Sequence, residues 1–318
     1  MELSIIIVNW NSKDFLARAV VAVETTLGAV DHEIVVIDSG SFDGSGEMLA
    51  LEHPEVRFIQ SADNLGFARA NNEAARRCAG EFLLFLNPDT EVRGRAIELM
   101  LDALRSLPDA GIAGPKLLNT NGSVQDTCIR AFPTLVNQLL DSELLRTRFP
   151  RARLWGKQPL ATADDRPHRV DAVSGACLMI RRGHFEAIGS FSTDYFMYAE
   201  DMDLCLKSQR AGRHAYYVPQ AVVVHHGGGS SSQAPVSKFA AVMRVESQWR
   251  FFRKMRSPAY AALYRIGLAG ASVLRIALLL AAWPVHTLRH GPDGASALAK
   301  WAARLRWTLG GERWVRDY

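Results

Sequence analysis

The apolar residues of the first 110 positions fall into short dense runs, separated by longer stretches where apolar and polar residues alternate at helical spacing. Residues 3–8, 34–37, 56–59 and 82–86 are rich in Ile, Val, Leu and Phe, and polar or turn residues close each run. That pattern predicts buried strands. The stretches near 14–27, 44–52, 67–78 and 95–107 are amphipathic and predict helices. Strands alternating with helices imply βαβ units and a mostly parallel sheet covered on both faces. Ligands of such sheets bind beyond the carboxyl ends of the strands, so the residues following each run are where chemistry is expected.

Those exits are rich in Asn and Asp. Asn9-Trp10-Asn11-Ser12 follow the first run, and Asp38-Ser39-Gly40-Ser41 with Asp43-Gly44-Ser45 follow the second. Asp63-Asn64-Leu65-Gly66-Phe67 follow the third and Asn87-Pro88-Asp89-Thr90 the fourth. No G-x-G-x-x-G stands at the first turn, which argues against a dinucleotide-binding domain. The second half is less regular. Residues 112–118, 170–180 (with Ser174-Gly175 inside), 216–218 and 222–225 read as strands, and 200–209 and 236–255 as helices. The Arg- and Pro-rich stretch 141–169 reads as a loop over the site, and the Gly/Ser segment 227–232 as a flexible loop.

Composition refines this picture. With 48% hydrophobic and 22% charged residues the chain is an ordinary folded protein, so disorder is excluded as the default. Residues 250–318 hold 12 Lys/Arg against 3 Asp/Glu, so a net charge of +4 conceals an acidic body and a basic tail. Such a tail is suited to an anionic partner, either nucleic acid or a membrane surface, and its Leu, Ala and Trp content favours the membrane. Residues 266–284 are apolar except for Arg275 and end at Pro284. They are expected to lie at the interface as a helix or helical pair, rather than to pack as a soluble helix or to span. A helix at 295–309, with Lys300, Arg304 and Arg306 beside Trp301 and Trp307, fits a headgroup-facing element. Cys78, Cys128, Cys177 and Cys205 form no CxxC pair and suggest four buried thiols in a reducing compartment. No basic segment precedes the first strand, so a cytoplasmic location is expected.

Several residues suit chemistry on a phosphorylated ligand. Asp89 offers a strand-exit carboxylate to Mg²⁺ or Mn²⁺, which favour oxygen ligands, although Asn-Pro-Asp is also turn chemistry. Asp38 can accept hydrogen bonds from a base or ribose, or serve the loop it opens. Asn9 and Asn11 line a base pocket or tie the loop together. Asn64 is a ligand contact or a turn residue, and Arg69 a diphosphate contact or a solvated helix charge. Glu200, Asp201 and Asp203 crowd three carboxylates into one turn, more than a helix N-terminus requires. Asp203 reads as paired or capping. Tyr195, Phe196 and Tyr198 are aromatic candidates for an acceptor sugar.

Taken in order, these motifs resemble the family 2 inverting glycosyltransferases, in particular the bacterial rhamnosyltransferase-like branch. The resemblance runs from about residue 3 to 226. It rests on the four strand exits, Asn71-Asn72, Gly114-Pro115 with Asn121-Gly122-Ser123, Ser174-Gly175-Ala176-Cys177, Glu200-Asp201 with Asp203-Leu204-Cys205, and Val218-Pro219 leading to His225-His226-Gly227-Gly228. Ser39 and Ala70 depart from the family, which often has Asn and Gly there; neither removes an expected catalytic group. The resemblance implies an α/β GT-A (nucleotide-diphospho-sugar transferase) fold, with a mixed, mainly parallel central sheet and a C-terminal helical extension. A catalytic domain is expected over 1–235, with its nucleotide half in 1–110 and its acceptor half in 111–235, followed by the extension 236–318. It further implies a nucleotide-diphosphate sugar donor, a divalent cation, and Asp89 as the last position of a DxD-type motif beginning at Asn87, itself a contact to the ribose or to the cation's surroundings. Asp201 would then be the general base, Glu200 would orient the acceptor, and His225 would be a cation ligand ahead of His226.

The expected reaction moves a sugar, rhamnose from dTDP-rhamnose or else one from a UDP-sugar, to a lipid-linked saccharide of the cell envelope at the inner membrane face. No nucleic-acid partner is expected, and a dimer is compatible with the sequence. Two other classes compete: a sugar nucleotidyltransferase, which would favour a Gly-rich basic loop after the first strand, and a non-catalytic nucleotide-sugar binder.

Overall fold

The computed structural model describes residues 1–140, 164–227, 238–290 and 293–318, with backbone alone at 282–290, 293–295 and 316. The loop expected over 141–169 and the Gly/Ser segment 227–232 therefore lie mostly outside the described residues. The strands are β1 (Leu3–Asn9), β2 (His32–Ser39), β3 (Arg57–Ser61), β4 (Phe82–Leu86), β5 (Thr90–Arg93), β6 (Ala110–Leu118), β7 (Ile129–Arg130), β8 (His168–Val170), β9 (Ala172–Val173), β10 (Cys177–Arg181) and β11 (His214–His225). The helices used below are α1 (Lys13–Thr26), α2 (Ser45–Glu52), α3 (Gly66–Ala75), α4 (Ala96–Ser106), α5 (Leu135–Leu139), α6 (Arg182–Ala187), α7 (Glu200–Arg210), α8 (Lys238–Met255), α9 (Pro258–His290) and α10 (Asp293–Thr308).

The main sheet runs β3-β2-β1-β4-β10-β6-β11-β5, with β8 beside β11. β3, β2, β1 and β4 are parallel, as their βαβ connections require. β10 enters antiparallel between β4 and β6, so the sheet is mixed. Its central strands are buried on both faces, which is why they read as continuous apolar runs. Ile5, Ile7 and Leu84 join a core with Leu16, Val20 and Val23 of α1 and Ile97, Met100 and Leu101 of α4. On strand β4, Phe85 meets Phe185 of α6 and Phe191 at ring-centroid distances of 5.1 and 4.8 Å.

Several expectations need correction. The stretch 170–180 is three short strands, because a bend at Asp171 and a turn at Gly175-Ala176 break it. The strands expected at 216–218 and 222–225 are one strand, β11, whose register against β6 slips between Val218 and Val222. The slip accommodates Pro219, which has no N–H for the ladder. β5 was not anticipated, since Thr-Glu-Val-Arg has too little apolar content to signal a strand. All four cysteines are free, but Cys78 is only half-buried.

By internal packing the chain divides into two compact units. The first comprises Met1–Phe132, Gly156–Phe196 and Glu200–Ser230; the second comprises Pro133–Trp155, Met197–Ala199 and Ser231–Tyr318. The second unit is helical, built from α8, α9 and α10. Inside it, Glu246 accepts from Trp307 Nε1 at 2.8 Å and pairs with Arg250. The charges of α9 point into this packing: Arg265 donates to the carbonyls of Trp307 and Thr308, while Arg275 lies 4.3 Å from the Trp301 ring centroid and donates to Leu139 O of α5. The remaining face is an uninterrupted apolar stripe. Leu263, Ile266, Val273, Leu274 and Leu278 are each more than half exposed, with exposed Ala or Gly at 259, 262, 270, 277 and 281 between them. The apolar segment expected at 266–284 is thus part of a longer helix, Pro258–His290, of which Pro258–Ala281 is long and apolar enough to cross a membrane.

Candidate active site

The exits of β1 and β2 are tied together by their polar residues. Asn9, at 0% exposure, donates through Nδ2 to Asp38 Oδ2 at 2.7 Å and to the Ser45 hydroxyl at 3.0 Å. Asp38 also accepts from Ser41 N–H at 2.7 Å and from Gln60 Nε2 at 2.9 Å, both on Oδ1. Asn11 stands in the left-handed region at φ 47° and accepts from Phe42 N–H at 3.0 Å. Asp43 accepts from Lys13 N–H and from Ser45. Burial tends to raise its carboxyl, but these hydrogen bonds outweigh it and hold the group below the usual carboxylate range. The two exits, with Gln60 of β3, therefore form one braced polar shelf.

Beside it, Asn64 accepts from Gly66 N–H at 3.0 Å, and Phe67 N–H donates to Phe196 O at 2.9 Å. Gly66 has φ +70°, and a Cβ there would lie 2.5 Å from Phe196 O, so the turn needs glycine on two counts. Arg69 lines a cleft of about 420 Å³ with Ile37, Gln60, Leu65, Arg76 and Thr193. It is thereby placed at the β2–β3 side of the sheet, next to the partner of Asp38.

Asp89 and His225, 136 positions apart in sequence order, are brought together by sheet pairing. β11 runs antiparallel to β5 with His225 opposite Thr90. The Asp89 backbone carbonyl accepts from His226 N–H at 2.9 Å, and Asp89 Oδ1 lies 3.4 Å from His225 Nε2. Two donors bound to one cation at about 2.1 Å are roughly 3 Å apart when adjacent, so this pair needs only a small adjustment to share one. Among the described residues no cluster of three or more His, Cys, Asp or Glu side chains is suited to a metal. Among the described residues this pair could offer a cation two donors, with other positions open to a ligand's oxygens and water. That suits Mg²⁺ or Mn²⁺ bound together with a diphosphate.

Glu200 and Asp201 open α7. Asp201 is buried; its Oδ2 accepts from Gly175 N–H at 3.0 Å and its Oδ1 from Met202 N–H at 2.8 Å. Arg130 Nη2 lies 3.4 Å from Asp201 Oδ2. Glu200 is also buried, and its Oε2 has no hydrogen-bond partner among the described residues. Burial, and after it the charge of Asp201, pushes the Glu200 carboxyl up to about 8. Tyr198 and Ala199 just before it both have φ 70°, a conformation costly for residues with a Cβ and frequent where function demands strain. Asp203 is fully buried and accepts from Ser192 Oγ at 2.5 Å and Tyr195 OH at 3.2 Å. These contacts give Asp203 and the buried Tyr195 structural roles.

Two short links join the carboxylate turn to the Asp89 strand exit. Asn87 N–H donates to Ala176 O at 2.9 Å, and neighbouring Gly175 donates to Asp201. Because β10 runs antiparallel, its beginning lies at the same end of the sheet as the carboxyl end of β4. The structure thus gathers Asn87, Asp89, His225, Glu200 and Asp201 at one sheet end with the Asn9–Asp38 shelf, while Arg69 lies toward the β3 edge. Sequence reasoning missed Arg130 and Gln125. A lone Arg in Cys128-Ile129-Arg130 and a lone Gln in a turn carry no periodic or motif signal.

Comparison with known proteins is consistent with this geometry. Residues 4–189 match the family described as glycosyl transferase family 2, and residues 155–314 match glycosyl transferase family group 2. A Mycobacterium tuberculosis N-acetylglucosaminyl-diphospho-decaprenol L-rhamnosyltransferase is 30% identical over 84% of this chain and 87% of its own length. The rhamnosyltransferase WbbL of Escherichia coli is 25% identical over 70% of this chain and 82% of its own. Among solved structures, the Pyrobaculum calidifontis mannosyltransferase PcManGT in complex with GDP-Man and Mn²⁺ aligns with TM-score 0.60 at 17% identity, over 98% of this chain and 88% of that one. GalNAc-T7 with UDP, GalNAc and Mn²⁺ aligns with TM-score 0.58 at 19% identity, over 81% and 51%. These likenesses establish the fold as GT-A, with additional C-terminal helices.

Proposed function

Since this chain belongs to glycosyl transferase family 2, we propose that it transfers one sugar, with inversion, from a nucleotide diphosphate to a hydroxyl of a lipid-linked saccharide, with dTDP-rhamnose as donor. The observation that carries this reading is the gathering of the Asp89–His225 pair and the Glu200–Asp201 turn at one end of the sheet. The two rhamnosyltransferase relatives, one named for a diphospho-decaprenol acceptor, support the sugar and the lipid carrier.

Asp89 Oδ1 and His225 Nε2 would hold a divalent cation, which would supply positive charge to stabilise the departing diphosphate. The Asn9–Asp38 shelf, with Asn11, Asn64 and Asn87, receives the nucleoside, and Arg69 reaches its phosphates from the α3 side. Asp201 takes the proton of the acceptor hydroxyl as that oxygen attacks the anomeric carbon. The N–H groups of Gly175 and Met202 and the nearby Arg130 keep Asp201 oriented. Glu200, held protonated by its surroundings near neutral pH, donates a hydrogen bond to the acceptor.

Calorimetry with dTDP and with UDP, each with and without Mn²⁺, tests the reading. Wild type binds dTDP more tightly when Mn²⁺ is present, and Asp89→Ala abolishes that gain while leaving metal-free affinity unchanged. Equal Mn²⁺ enhancement in the variant would remove Asp89 from the site, and stronger enhancement with UDP would replace the donor assignment.

The exposed stripe of α9 is the surface that we assign to the membrane. It presents only aliphatic side chains, and exposed Arg253, Lys254 and Arg256 stand immediately before it in the chain. An apolar face next to basic residues is the composition of a helix lying in an anionic interface. Burying one Leu or Ile side chain contributes about 1.5–3 kcal/mol. The double substitution Ile266→Glu and Leu274→Glu therefore weakens co-sedimentation with phosphatidylglycerol vesicles by roughly 100-fold or more. Retention of wild-type vesicle binding would show that this face is not the membrane contact.

A further inference from the structure

We infer that Gln125 is a positioning residue that locks His225 into the tautomer able to ligate a cation through Nε2. The role rests on the cation reading above, but the lock itself can be seen without metal. Gln125 is 8% exposed and follows the turn after β6. Its Nε2 donates to the backbone carbonyl of His225 at 2.7 Å. A carbonyl oxygen only accepts, so this contact sets which end of the amide is nitrogen. The amide oxygen therefore faces His225 Nδ1, at 3.0 Å. That oxygen also only accepts, so in the neutral ring Nδ1 must carry the hydrogen. The lone pair is left on Nε2, 3.4 Å from Asp89 Oδ1. Two electron-rich atoms facing each other at this distance repel, unless a positive centre is shared between them.

The neighbouring histidine shows the contrast. His226 Nε2 contacts Glu91 Oε1 at 2.8 Å and its Nδ1 contacts Thr120 Oγ1 at 3.1 Å, so both its nitrogens have partners on the chain. Of the adjacent pair, His225 is the one whose outer nitrogen faces Asp89 Oδ1, at 3.4 Å. Gln125 is itself fixed by backbone bonds. Its N–H donates to Leu117 O at 2.8 Å, and the turn before it is closed by Asn119 N–H to Ser123 O at 2.7 Å. A side chain fixing the far nitrogen of a ligating imidazole typically changes metal affinity 10- to 100-fold, by roughly the cost of reorienting the ring.

Ring-¹⁵N spectra of full-length, metal-free protein at about pH 8.5, where an ordinary histidine is neutral, test the lock. The His225 signal is assigned from its loss in His225→Asn. Wild type shows the Nδ1–H form. Gln125→Leu shows the Nε2–H form or a mixture, and Gln125→Glu, which keeps an accepting oxygen, restores Nδ1–H. Mn²⁺ affinity in the presence of dTDP, read by electron paramagnetic resonance, falls roughly 10- to 100-fold in Gln125→Leu, while metal-free dTDP affinity does not change. A wild-type Nε2–H ring, or a Gln125→Leu variant with unchanged tautomer and Mn²⁺ affinity, overturns the inference. A wild-type Nδ1–H ring without Mn²⁺ binding, with or without dTDP, overturns the cation reading instead.

Discussion

Asp201→Asn lowers turnover by roughly 10²–10⁴-fold, the range for losing a general base, with donor affinity unchanged. The carboxamide has nearly the shape of the carboxylate, so the change removes basicity while leaving the fold in place. One contact is lost in a known way. Asp201 accepts on both oxygens, from Gly175 and Met202 N–H groups, and Asn keeps one acceptor. Losing that hydrogen bond costs about 1 kcal/mol, so turnover is measured well below the melting temperature with saturating substrates. Steady-state kinetics and dTDP calorimetry on the same preparation separate chemistry from binding. Wild-type turnover in the variant would assign proton removal elsewhere, and Glu200 would be the first group to examine.

Glu200→Gln raises stability at alkaline pH while altering the pH profile of the reaction. The Glu200 carboxyl is pushed up to about 8 in the folded chain, by burial first and by Asp201 second, from an unfolded value of 4.5. The folded state therefore holds a proton that the unfolded state releases. This favours folding most below about pH 4.5, and the advantage is lost progressively as pH rises through about 8. Within that window the slope approaches ~1.4 kcal/mol per pH unit. Gln has similar volume and no titration, so the variant lacks the slope and is more stable than wild type at pH 8. Chemical denaturation at several pH values measures this. Parallel curves for the two proteins would mean that Glu200 titrates normally.

The two experiments also separate the roles of adjacent carboxylates. Asp201 is surrounded by donors, whereas Glu200 has a buried oxygen with no partner among the described residues. Neighbouring acids in unlike environments are a frequent basis for dividing acid and base work. An acceptor hydroxyl could complete the hydrogen bonding of Glu200 while presenting its proton to Asp201.

Much of residues 1–110 was legible in the sequence, because β1, β2 and β4 are buried on both faces and must be apolar throughout. Their exits mark Asn9, Asp38 and Asp89, but the sequence left each open between contacting a ligand and bracing its own loop. The acceptor half was harder to read, since its pieces are short and held by distant partners. Ala172–Val173 is a strand only because Ile129–Arg130 pairs with it. Gln125 acquires its role from a residue 100 positions away. Arg275 read as an interruption of an apolar segment. In the folded chain it turns inward over Trp301, which leaves the outward face of Pro258–Ala281 uncharged. A one-dimensional hydropathy profile averages both faces and hides this division.

The register slip in β11 has a consequence for how this protein can drift over evolutionary time. Three residues, Pro219, Gln220 and Ala221, intervene between the positions opposite Pro115 and Lys116, and only after them does the strand reach His225. Side chains alternate across a sheet, so losing or gaining one residue here would turn the imidazole to the opposite face and strand Asp89 without its companion. Exchanging the amino acids at these three places keeps the register, whereas changing their number does not. Lineages carrying insertions in this stretch would be expected to have given up the chemistry or rebuilt it with another donor.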